Sequence, residues 1–165
     1  MASEGKRRHV FISHHHKDDV HVDNISSLLN KRGDDIRNSS WRQLKSENQK
    51  RLKEKRVSDE VIRRYLRRKI SWSGKVVVLI GKDTHSRPWV NWEIEEAKSQ
   101  GKRIVGVYLR GGTEADIPAA LKKHASAIVG WNTDSIQNAL DGANTFQSPD
   151  GSQSPRMYTP KSSDC

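Results

Sequence analysis

The sequence contains one cysteine, Cys165, at its last position, so it can form no internal disulfide and no cysteine-based zinc site. No apolar run reaches the roughly 18 residues of a membrane-crossing helix, and the opening stretch MASEGKRRHVFIS lacks the apolar centre of a signal peptide. A reducing, cytoplasmic location is the expectation. Neither G-x-G-x-x-G nor the P-loop lysine motif occurs, which argues against a redox dinucleotide domain and an NTPase. Hydrophobic residues are scarce, at 33%, so the apolar ones must be concentrated in a few segments if 165 residues are to build one core.

What is abundant is positive charge. The net charge is +10, and residues 42–69 alone carry +8, with twelve Lys/Arg against four acids. The basicity is therefore one local feature. It raises the expectation of a polyanionic partner without naming one.

The apolar residues fall into an alternating pattern. Residues 8–13, RHVFIS, read as a short strand, and Val20–Asn30 as a helix with Val22, Ile25, Leu28 and Leu29 at helical spacing and Gly33 as its stop. A second strand is expected within 34–40, around Ile36. Ser58-Asp59-Glu60 resembles a capped helix start. Beyond it, Val57, Val61 and Tyr65, with Ile62, Leu66 and Ile70, form an apolar stripe opposite the arginines and lysines. Lys75–Gly81, KVVVLIG, has the continuous apolar run of a central parallel strand. Pro88 and Gly101 bracket the next helix, with Val90, Ile94 and Ala97 as its core face. Lys102–Leu109 is a further buried strand, 117–124 a short helix, 125–131 a last strand and 134–141 a last helix.

Strands alternating with helices imply a flavodoxin-like, doubly wound parallel sheet with helices on both faces. The expected organisation is a domain over 1–141, with a basic helical insert near 42–70, and a disordered polar tail over 142–165. In such sheets ligands bind beyond the carboxyl ends of the strands, where the strand order reverses. Three segments should gather there: Ser13–His16, Lys82–Ser86 and Arg110–Gly112. Glu93, four residues after Trp89, is expected on a helix face distinct from that of Val90 and Ile94, free to point into the site.

Two stretches carry a resemblance. VFISHHHKDD is similar to the first strand and loop of TIR domains. VVVLIGKDTHSRPWVNWEIEEA is similar to the TIR segment in which a strand is followed by a serine, a tryptophan and a glutamate, here Ser86, Trp89 and Glu93. The strand ending V-L-I-G, the threonine, the arginine ahead of W-V and the E-I pair resemble most closely the ThsB-type TIR-like domains of the bacterial Thoeris antiphage system. The resemblance covers roughly residues 8–131 and leaves the basic segment 42–69 unexplained.

It implies an enzyme with NAD as substrate and no further cofactor. The resemblance makes Glu93 the expected catalytic carboxylate for cleaving the nicotinamide–ribose bond, and the expected product an ADP-ribose-derived signal, linear or cyclic, read by a separate effector protein. Phe11, Ser13 and His14 match nucleotide-lining positions, and His85 and Trp92 are added by their sequence proximity to Glu93. A carboxylate suits the task, because departure of nicotinamide leaves an oxocarbenium-like ribose whose charge and hydroxyls it can hold.

Other readings remain beside this one. Adjacent histidines in an extended segment point in alternating directions, so His14-His15-His16 is a poor metal site, and none is expected. A receiver domain would need an aspartate ending the central strand, where Ile80-Gly81 stands. A non-catalytic TIR interaction module, alone or as a homo-oligomer, is the main alternative. Nucleic-acid binding through the stripe Arg63-Arg64 and Arg67-Arg68 is a further one.

Overall fold

The computed structural model describes residues 8–14, 19–31, 33–38, 59–82 and 84–152. Five strands form one parallel sheet: β1 (Arg8–Ser13), β2 (Asp34–Asn38), β3 (Lys75–Ile80), β4 (Arg103–Tyr108) and β5 (Ala127–Val129). Their order is β2-β1-β3-β4-β5, and every adjacent pair is parallel, with Phe11 beside Val76 and Val76 beside Ile104. This is the flavodoxin-like doubly wound order, and its reversal point lies between β1 and β3. KVVVLI occupies the centre because it can be covered on both sides, and Val76–Ile80 are all buried.

Among the described residues, four helices connect the strands, α1 (Asp19–Lys31), α2 (Asp59–Trp72), α3 (Pro88–Ser99) and α4 (Ala119–His124), and a fifth, α5 (Thr133–Leu140), follows β5. Strand alternation divides the core into two layers. Phe11, Val76, Val78, Ile80 and Ile104 pack with Leu66 and Ile70 of α2 and with Val90 and Ile94 of α3. Val10, Ile12, Val77, Leu79 and Val105 pack with Val22, Ile25 and Leu29 of α1 and with Ile136 and Leu140 of α5. No helix among the described residues is long and apolar enough to cross a membrane.

The structure corrects three expectations about the tail and α2. Residues 142–152 are not a disordered tail. Phe146 is buried and bridges to Ile128 in parallel sense, and the Arg103 guanidinium donates to the backbone oxygens of Ala139 and Ala143 at 2.8 and 2.7 Å. One aromatic in a polar stretch creates no periodicity, yet it supplies enough apolar area to dock the segment. Residues 153–165 lie outside the described residues, as do residues 39–58, which include the first part of the basic insert expected near 42–70. Second, Val61 is 49% exposed, so the inner stripe of α2 is Ile62, Leu66 and Ile70. Third, Lys69 is buried on that inner side and does not join the exposed arginines.

Candidate functional site

The site begins with the turn out of β3. The Gly81 N–H donates to Thr84 Oγ1 at 2.9 Å, and the Thr84 N–H returns to the Gly81 carbonyl at 3.1 Å. Thr84–Ser86 form one 3-10 turn, and Pro88 starts α3 at a position where its missing N–H costs nothing. Gly101, at φ +72°, follows the other end of α3 in a conformation glycine adopts without strain. Between these stops, α3 buries Val90, Glu93, Ile94 and Ala97.

Glu93 therefore lies on the same inward side as Val90 and Ile94, against expectation. A residue three positions after Val90 is nearly in line with it on a helix, and that rotation aims the carboxylate at the end of β1. There Ser13, fully buried, donates from Oγ to Glu93 Oε1 at 2.5 Å, the length of a strong hydroxyl–carboxylate bond. Glu93 Oε2 is buried with no hydrogen-bond partner among the described residues. Burial pushes the Glu93 pKa up to about 8, although the Ser13 hydrogen bond and the charge of Lys69 pull it down. Ser13 ends β1 and Glu93 follows β3, so the pair flanks the reversal point of the sheet.

The other expected site residues are distributed differently. His14 is buried next to Ser13 in the chain. Phe11 is fully buried within the apolar layer under α2 and α3. Trp92 turns away from the Ser13–Glu93 pair towards α2. It meets Trp89 edge-on with centroids 5.8 Å apart, and Arg67 Cζ lies 5.6 Å from its ring. His85 is exposed, with Nδ1 3.7 Å from Asp116 Oδ1, on the side of the 114–116 turn. Arg110–Gly112 line a separate cavity of about 530 Å³ with Gly130–Asn132 and Pro149–Gly151, at the ends of β4 and β5. A Cβ on Gly112 would stand 2.2 Å from the Ile80 carbonyl oxygen, so only glycine fits there. His15, His16 and Asp83 lie outside the described residues, and no cluster of three potential metal ligands forms among the described ones.

Lys69 escaped the sequence reading. Its signal was spacing: it stands seven residues after Ile62 and three after Leu66, in register with the buried stripe.

A parallel sheet of this order, with a buried carboxylate held at the reversal point by the residue that ends β1, makes the molecule a doubly wound α/β domain of flavodoxin-like topology. The family is more particular: the model of the Thoeris protein ThsB, TIR-like domain, matches residues 11–114. The chain belongs to that family, a TIR-type domain of a defence system. Solved structures similar to it include the TIR domains of the activated Roq1 resistosome directly recognizing the pathogen effector XopQ. That match has 18% identity and a TM-score of 0.44, covering 61% of this chain and 57% of that one. A prokaryotic SEFIR domain is similar at 18% identity and a TM-score of 0.46, covering 81% of this chain and 88% of that one. The aligned part of this chain thus spans little more than half of the Roq1 TIR chain. No curated protein matches.

Proposed function

We propose that the protein cleaves the nicotinamide–ribose bond of NAD, with Glu93 as the catalytic carboxylate and Ser13 as its positioning partner. The observation that carries this reading is the half-satisfied carboxylate. Oε1 is fixed by Ser13, while Oε2 is buried and left without a partner among the described residues. A buried, unpartnered oxygen is costly to keep for stability alone, and such groups concentrate at working sites.

In the proposed reaction, the bond between ribose C1′ and the nicotinamide nitrogen breaks. Its electron pair goes to the ring nitrogen and cancels the pyridinium charge. Ionised Glu93 accepts hydrogen bonds from the ribose hydroxyls and stabilises the oxocarbenium charge that develops. Water then adds at C1′ and releases a proton, giving ADP-ribose. Capture by an atom of the adenosine portion gives a cyclic product instead. Either product suits a diffusible signal to a separate effector.

The positive charge on the nicotinamide ring, brought beside Glu93, favours its ionised form, so the rate should rise with pH through an inflection below about 8. The experiment is mass spectrometry of products formed from NAD by wild type and Glu93→Gln, with and without lysate of phage-infected cells. Wild type should release nicotinamide, and the variant should be slower by about 100-fold or more. Equal rates would remove Glu93 from the chemistry. A folded wild type that leaves NAD intact in both conditions would favour the interaction-module reading.

A further inference from the structure

The arginines of α2 divide into two sets with different employment. Arg63 lies over the Trp89 ring at 5.7 Å, and Arg67 lies over Trp92 while pairing with Glu60 at 3.5 Å and Glu96 at 3.3 Å. These two tie α2 to α3. Arg64 and Arg68 are exposed and make no such contact among the described residues. They border an open groove of about 550 Å³ lined by Arg64, Arg67, Arg68, Ser71, Trp72 and Gln100. Among the described residues no acid lines it, unlike the cavity beside β5, where Asp150 does; Glu96 lies behind its wall, bonded to Arg67 and Gln100.

We infer that this groove binds single-stranded nucleic acid. Arg64, Arg68 and Trp72 follow one another at four-residue intervals, which on a helix places them along one stripe about 6 Å apart per step. Two guanidiniums followed by an indole make a cationic track ending in a stacking surface, the combination by which single strands are held: phosphates on arginine, a base on an aromatic ring. Trp72 is set by its neighbour, with the His9 ring stacked on it at 4.1 Å and 11°. The volume is that of a cleft for a small ligand, which suits a nucleotide unit more than the broad flank of a duplex. The surface is independent of the Ser13–Glu93 pair, so its failure would leave the NAD reading intact.

The test is fluorescence anisotropy with the full chain and labelled 20-nucleotide RNA and DNA single strands, a duplex of the same sequence and polyglutamate, titrated with salt. Single strands should bind more tightly than duplex or polyglutamate. Arg64→Ala/Arg68→Ala should lower the slope of log affinity against log salt by about 1.4, two phosphate contacts' worth on a single strand. Lys122→Ala/Lys123→Ala, on the exposed side of α4, should leave the slope unchanged. Circular dichroism on both double variants checks that they are folded. Several results would each overturn the proposal: no single-strand binding at low salt, polyglutamate or duplex bound as tightly as the single strands, or equal slope changes in the two double variants.

Discussion

The two faces of the sheet are built from similar strands but carry different cargo. Under α1 and α5 the buried helical side chains among the described residues are Val22, Ile25, Leu29, Ile136, Ala139 and Leu140, hydrocarbon throughout. Under α2 and α3 the layer also holds a buried lysine, Lys69, and a buried glutamate, Glu93, beside its leucines and isoleucines. One face closes the fold, while the other stores titratable groups at a desolvation cost. The lesson is that the buried charges, and with them the proposed site, lie on a single face next to the reversal point, while the opposite face is purely apolar among the described residues.

Substitutions should separate the two faces, beginning with the largest effect. Leu29→Ala on the apolar face should lose roughly 2–5 kcal/mol in denaturant unfolding, with no change in how stability depends on pH. A changed pH dependence would mean that the faces are coupled.

The second test concerns that pH dependence. Glu93 titrates near 4.5 when unfolded and near 8 when folded. Between those values the folded state holds a proton that the unfolded state has released. Its contribution is therefore complete below about 4.5 and is lost as pH rises through about 8. One such group contributes a slope of up to roughly 1.4 kcal/mol per pH unit. Glu93→Gln should flatten that part of the curve and be more stable than wild type at the alkaline end. A slope that persisted in the variant would assign it to another group.

Smaller effects come from the supports. Ser13→Ala removes the donor that favours ionised Glu93, so the pH inflection of nicotinamide release should move upward, with a stability loss of about 1 kcal/mol. An unmoved inflection would reduce Ser13 to packing. Arg63→Ala should cost only ~0.5–1 kcal/mol, as expected for a partly exposed cation–π contact, and chemical denaturation would register it as a small shift in midpoint.

The sequence made the sheet legible wherever a strand is covered on both sides. VFI, VVVLI and IVGVYL are continuous apolar runs, and each proved to be an inner strand. DDIRN offered only Ile36 because it lies at the edge, where pairing is one-sided. Glu93 could be singled out by its tryptophan context, but not its orientation. Polar residues on a helix are assigned to the outer face by default, and only the position of Ser13 across the sheet makes the inward rotation useful. Nearness along the chain, the ground for His85 and Trp92, says little about direction on a helix, where the next residue points about 100° away. Trp92 consequently belongs to the contact between α2 and α3.

The segment after Asp141 has a consequence for handling the protein. The Ile128 N–H donates to the Thr145 carbonyl at 2.9 Å, and the Gln147 N–H donates to the Ile128 carbonyl at 2.8 Å. The return of the chain thus occupies backbone groups along the outer side of β5, a strand of three residues. A chain cut at Asp141, where the composition turns polar, would keep every regular helix and strand described. It would also expose an unpaired strand edge, the kind of surface on which chains add to one another and precipitate.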